Sequence, residues 1–203
     1  MLAAGFTMDG FQPDPTFGAG ITIPSGVTVS IVADPTNALT VELDAGGKGT
    51  HFRVAEKAGL TIRSLSLTNG NHSAGSGGAI FVYGSLNATK CTFANNAAGA
   101  GGAIVVTAGT MMATHCTFTS NTAKSAGGAL GVYVDGTATL AGCTFTVPTD
   151  TSAGNNDVFE VDDGDVVFAC PSGKTGAPVK MKGANSARAA TQLPPAVKIA
   201  HCA

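Results

Sequence analysis

Tryptophan is absent from this chain, and charge is scarce. Charged side chains make up 12% of its 203 residues, about half the share usual in a globular domain. Basic and acidic residues, 11 and 13, nearly cancel to a net −2. No basic stripe is present to hold nucleic acid or an anionic membrane. Apolar residues are plentiful, yet no run reaches the ~18 positions that a membrane-spanning segment needs. The opening residues, MLAAGFTMDGFQPDP, contain no charged stretch followed by a long apolar one, so no leader is visible; the favoured expectation is that a start Met stands in its place, the alternative that the protein is not exported by that route. The 3.6-residue spacing of amphipathic helices is also missing, which excludes helical bundles and helical repeats.

What is present is glycine, 28 residues of it, with Ala, Thr and Val, a composition suited to short strands and tight turns. Alternating runs such as VTVSIV from Val27, LTVEL from Leu39 and LTIRSLSL from Leu60 are bounded by Gly, Pro, Asn or Asp, as strands bounded by turns are. The chain then repeats itself. CTFANNAAGAGGAIVV starts at Cys91, CTFTSNTAKSAGGALGV at Cys116 and CTFTVPTDTSAGNNDVF at Cys143, with LSLTNGNHSAGSGGAIFV before them at Leu65. The steps are 26, 25 and 27 residues, a period that marks stacked repeats. Leucine-rich spacing is missing, and about 25 residues accommodates three short strands and three turns per coil. The predicted fold is all-β, a single-stranded right-handed parallel β-helix of about six rungs in one domain. Residues 1–20 read as an irregular N-terminal cap, 21–170 as rungs and 171–203 as a C-terminal cap, because bare terminal rungs expose backbone and core.

Alternation gives each position a direction. Leu86 and Ala88 point inward, Thr89-Lys90 bends the chain, and Cys91 and Phe93 point inward with Thr92 outward. After Gly101-Gly102, Ile104 and Val106 point inward again. Stacking at ~4.8 Å is expected to build an aliphatic ladder of Ile80, Ile104 and Leu130. Beside it stands an aromatic ladder of Phe93, Phe118 and Phe145, extended by Leu67, and a thiol ladder of Cys91, Cys116 and Cys143, with Leu65 in the same place. The Gly pairs 77–78, 101–102 and 127–128 read as devices for positive φ and close approach. A phosphate cradle would need a following helix or Lys. Asn96 and Asn121 read as a ladder that satisfies turn backbone.

Phe93-x-x-Asn96 and Phe118-x-x-Asn121, followed by Gly-Gly-Ala-Ile and Gly-Gly-Ala-Leu, resemble the repeats of the polymorphic outer membrane protein family. They also resemble right-handed β-helices of the pectin-lyase-like superfamily. The segment LDAGGKGTHFRVAEKAGLTIRSLSLTNG from Leu43 is similar to the entry that often precedes such repeats. The resemblance covers residues 39–147 and implies the fold; surface adhesins and secreted proteins share it, so it does not assign an activity. The chain departs from the family in showing no C-terminal segment of alternating barrel strands, so self-insertion into an outer membrane is not implied. The rung after Cys143 replaces both motifs with Val147-Pro148 and Gly154-Asn155.

The ladder cysteines read as a buried apolar column, a disulfide within it being the alternative. A Cys170–Cys202 bridge is a candidate tie for the tail in an extracellular setting. No CxxC pair or convergent His marks a metal centre. Asp162, Asp163 and Asp165 read as a solvated turn, and alternatively as a calcium turn. No cofactor is expected and no catalytic residue is assigned. The chain has three Arg, at 53, 63 and 188; Arg53 and Arg63 with His51 mark where a polysaccharide lyase-like groove would have to lie. His115 reads as a turn residue.

Two outward faces remain. One stacks Ser66, Thr92, Thr117 and Thr144 beside Thr68, Ala94, Thr119 and Thr146, a Thr array similar to the ice-binding faces of known β-solenoids. Thr is also simply favoured outward on any strand. The other face carries Phe81, Tyr83, Val105, Thr107 and Tyr133, suited to stacking on sugars or a protein partner, or to being covered by a terminal tail. The leading expectation is a noncatalytic secreted or cell-surface module, adhesin-like, that recognises a glycan or protein through a lateral face. Ice binding and a carbohydrate-active enzyme are the alternatives.

Overall fold

The structure, a computed structural model, describes residues 20–33, 41–146, 159–169, 179–182 and 197–198. Every regular element among them is a strand. The first coil holds β1 (Ile21–Ile23), β2 (Thr28–Val32) and β3 (Val41–Asp44). The second holds β4 (Phe52–Val54), β5 (Gly59–Arg63), β6 (Leu65–Thr68) and β7 (Asn71–Ser76). The third repeats this plan with β8 (Ile80–Val82), β9 (Ser85–Thr89), β10 (Thr92–Ala94) and β11 (Ala97–Ala100). The fourth has β12 (Ile104–Thr107), β13 (Thr110–Thr114), β14 (Thr117–Thr119) and β15 (Thr122–Ala126). The fifth has β16 (Leu130–Tyr133), β17 (Thr137–Ala141) and β18 (Thr144–Thr146), and the last β19 (Phe159–Asp162) and β20 (Asp165–Ala169). Two further strands, β21 (Val179–Lys182) and β22 (Val197–Lys198), lie in the expected C-terminal cap.

These strands stack into four sheets. Sheet I runs β1-β4-β8-β12-β16-β19, sheet II β2-β5-β9-β13-β17-β20-β21, sheet III β3-β6-β10-β14-β18-β22, and sheet IV β7-β11-β15. All pairings between coils are parallel, while β21 joins β20 and β22 joins β18 antiparallel. The chain is an all-β parallel solenoid of about four turns, against the about six rungs expected. The difference arises because the described end coils are incomplete, and sheet IV exists only in the second to fourth. Sheet IV is itself unexpected: the complete coils carry four strands, not three. Its strands, NHSAGS, AAGA and TAKSA, hold no large apolar side chain and are interrupted by a register shift between Ala98 and Ala100. That weak alternation explains why they read as turn.

The corners come from backbone chemistry. Between sheets II and III sit Ser64, Lys90, His115 and Gly142, with φ of 55°, 52°, 53° and 61°. A single left-handed residue turns the chain sharply, although only Gly adopts it without steric cost. Between sheets IV and I the first glycine of each pair, Gly77, Gly101 and Gly127, has φ of 72°, 57° and 68°. The second glycine permits contact between coils: a Cβ on Gly78 would collide with the Gly102 carbonyl, and one on Gly102 with the Gly128 carbonyl.

The core follows the predicted ladders. Register pairs Ile80 with Ile104 and Ile104 with Leu130. Phe93 and Phe118 stack at 4.9 Å and Phe118 and Phe145 at 4.7 Å, and Phe159 continues edge-on at 4.8 Å. All are buried in one apolar cluster. Asn96 and Asn121, 0% and 4% exposed, close the corner beside the Phe stack. Asn121 Oδ1 accepts from Asn96 N and Nδ2, both at 3.0 Å, and Asn121 Nδ2 donates to the Phe93 carbonyl at 2.9 Å. Asn96 repeats this one coil earlier, accepting from Gly70 N at 2.8 Å and donating to Leu67 O at 3.1 Å.

Candidate functional site

With the interior filled by side chains, the accessible chemistry lies on the lateral faces. The outward face of sheet I holds the predicted aromatic group. Register aligns Phe81, Val105 and Gly131 in one column and Thr107 with Tyr133 in the next. Tyr83 directly follows β8 and extends that second column. The first column offers little surface, since Phe81 is 9% and Val105 1% exposed. Tyr83, Thr107 and Tyr133 are half-buried and reach the face. The Tyr83 ring packs on Phe81 at 4.7 Å, with the Arg53 guanidinium 5.3 Å from its centre. Tyr133 lies over Gly131, where any Cβ would meet its ring. The tyrosines are therefore held by packing, which lowers the entropic cost of using them.

The predicted Thr array stands on sheet III in the predicted register. Thr92 pairs with Ser66 and Thr117, and Thr117 with Thr144; Ala94 pairs with Thr68 and Thr119, and Thr119 with Thr146. The array is narrow, because β10, β14 and β18 have three residues each. It is acidic at one end, where Glu42 and Asp44 of β3 continue its columns. Thr68 is 6% exposed and donates to Glu42 Oε1 at 2.7 Å. Hydrogen bonds to Asp44 from the Gly46 backbone N–H, the larger cause, and from the Asn69 side-chain amide lower the Asp44 pKa, so the end carries negative charge. At the other end, β22 pairs along β18.

A larger face was not anticipated. Sheet II has five-residue strands, paired from β2 to β20 without a register shift. Its inward positions fill the core. Its outward positions form three columns. The first reads Thr28, Gly59, Ser85, Thr110, Thr137 and Asp165; the second Ser30, Thr61, Asn87, Met112, Thr139 and Val167; the third Val32, Arg63, Thr89, Thr114, Ala141 and Ala169. Hydroxyl and amide side chains dominate; Thr28, Ser30, Ser85, Asn87, Thr110 and Met112 are exposed, and Thr61, Thr89, Thr114, Thr137 and Thr139 are half-buried.

The residues proposed to line a catalytic groove do not converge. His51 is buried, its Nε2 2.8 Å from the Leu43 carbonyl, and desolvation lowers its pKa. Arg53 lies on sheet I against Tyr83, whereas Arg63 is exposed at the edge of sheet II. His115 is a left-handed corner residue, exposed to solvent. Asp162, Asp163 and Asp165 line the turn from β19 to β20, with φ of 54° at Asp163. No group of three or more His, Cys, Asp or Glu placed to hold a metal occurs among the described residues. Cys91, Cys116 and Cys143 are buried free thiols. Hydrogen bonding with Cys143 and Cys91 on either side, reinforced by burial, pushes the Cys116 thiol up. Cys170 and Cys202 lie outside the described residues.

An apolar interior of stacked ladders, with its chemistry confined to lateral faces, defines a parallel β-helix repeat protein. Residues 90–107 and 115–132 match the Chlamydia polymorphic membrane protein repeat, so the β-helix carries two copies of a repeat of that type. Each match begins at a left-handed corner, Lys90 or His115, and ends in the sheet I strand of the next coil. No curated protein and no solved structure matches the chain.

Proposed function

We propose that this chain is a noncatalytic recognition module displayed at a bacterial cell surface, where it binds a glycan or a protein through the outward face of sheet I. The repeat it carries is named for membrane proteins of Chlamydia, which supports the surface setting. The observation that carries the recognition reading is the packed column of Tyr83, Thr107 and Tyr133, with Arg53 5.3 Å from the Tyr83 ring. Tyrosine faces stack on sugar C–H groups or on protein side chains, while phenol and guanidinium groups supply directional hydrogen bonds. Phe81 and Val105 act beneath this column as support.

A glycan and polysaccharide array run on the whole chain, beside Tyr83→Ala/Tyr133→Ala, tests the reading. Selective binding that falls at least about tenfold in a folded double variant, the loss of roughly 1.4 kcal/mol, is the expected result. Binding that survives both substitutions removes sheet I from the reading. Absence of any glycan binding removes the glycan and leaves a protein ligand for the face.

A further inference from the structure

We propose a second, separate activity: the outward face of sheet II binds ice. Its register is unbroken over six parallel strands, whereas sheet IV shifts register within one strand. Hydroxyl side chains cluster on this lattice, at Ser85, Thr89, Thr110, Thr114, Thr137 and Thr139 of three adjacent coils, about 4.8 Å from coil to coil and about 6.6 Å between alternate residues along a strand, with Asn87 and Met112 between them in the central column. A repeating, rigid set of hydroxyl and methyl groups can hold water in a lattice; an irregular or mobile surface cannot.

Charge separates this occupant from others. The interior of the face carries none: Arg63 stands at one border and Asp165 at another, with the Lys180 and Lys182 positions paired beyond β20. Ions impose their own hydration shells, so a neutral centre suits ordered water and offers nothing to an ionic partner. The face also lacks aromatic side chains, the usual platform for a sugar ring. Its flat extent is roughly 470 Å², from five-residue strands stacked six deep. That is well short of the ~800 Å² per partner typical of a stable protein interface, so a second copy of this chain is not the fitting occupant. Sheet III is the poorer candidate, being three residues wide and acidic at one end.

Partitioning of the full chain into slowly growing ice, together with inhibition of ice recrystallisation, tests the proposal. Thr110→Tyr/Thr137→Tyr places two rings on adjacent coils of sheet II, Thr139→Lys adds a central charge, and Thr117→Tyr is the sheet III control. The wild-type chain, the Thr117→Tyr variant and the sheet I variant Tyr83→Ala/Tyr133→Ala are expected to enter ice. The sheet II variants are expected to be excluded from it while keeping native circular dichroism and melting. If the tyrosine pair misfolds, Thr139→Lys carries the test. Exclusion of the wild-type chain from ice overturns the proposal, as does a loss that follows Thr117→Tyr instead. Retention on an insoluble neutral polysaccharide without entry into ice gives the face to a glycan and overturns it too. These outcomes are independent of the glycan array on sheet I.

Discussion

Asn121 holds two coils together with one side chain. Its Oδ1 accepts two bonds from Asn96 and its Nδ2 donates to Phe93 O, in a site 4% exposed. Asn121→Ala removes three hydrogen bonds and strands buried N–H donors, so a loss of about 3–5 kcal/mol is expected by urea denaturation. His51 makes a different residue-scale prediction. It occupies, one coil earlier, the position that Ala79, Ala103 and Ala129 fill later. Burial lowers its folded pKa below the 6.5 of an ordinary His, with Asp44 the nearby opposing charge. The contribution is fully present above pH 6.5. As pH falls below that value, the unfolded chain takes up a proton that the folded chain refuses, and stability declines until the lower folded pKa is passed. Melting temperature followed from pH 7.5 to 5 is expected to show this decline, and His51→Ala to flatten it. The Asn role was legible in the spacing after Phe93 and Phe118. The His51 role was not, because the first corner lacks the Gly-Gly-Ala motif that would have aligned it.

At the scale of the element, a coil is a unit that meets only its neighbours. Thr92 pairs with Thr117 and Cys91 precedes the one as Cys116 precedes the other. Excision of residues 92–116 therefore joins Cys91 to Thr117 in register. The shortened chain is expected to keep its β circular dichroism and unfold cooperatively at a lower urea midpoint, having lost one coil interface. Collapse to an unfolded chain would show that the coils are coupled beyond nearest neighbours. Sheets I and III were legible as elements because their strands carry the repeated Gly-Gly-Ala and Cys-Thr-Phe motifs. Sheet IV was not, since AAGA and its counterparts alternate too weakly to separate strand from turn. The sheet II strands were visible singly, but GLTIR, SLNAT, TMMAT and TATLA share no motif. Their outward hydroxyls become columns only when register pairs Ser85 with Thr110 and Thr110 with Thr137.

The whole molecule is a stack whose lateral faces differ in chemistry: packed aromatics on sheet I between the Arg53 guanidinium and the Asp162 position that pairs with Tyr133, mostly neutral hydroxyls on sheet II, a narrow Thr array with an acidic end on sheet III. Low charge suits such a stack, because like charges in register would face one another at every coil. The sequence by itself determined the period, the parallel β-solenoid, the Phe, Asn and thiol ladders and the role of the glycine pairs. Each is a local rule repeated about every 25 residues, and repetition makes inward and outward positions readable without coordinates. Only the tertiary structure decided which outward residues reach solvent, that His51, Arg53 and Arg63 point to three different places, and that the widest hydroxyl face is sheet II. Those properties depend on how separate coils lie against one another, and register between coils is set by packing of the core rather than by any one segment.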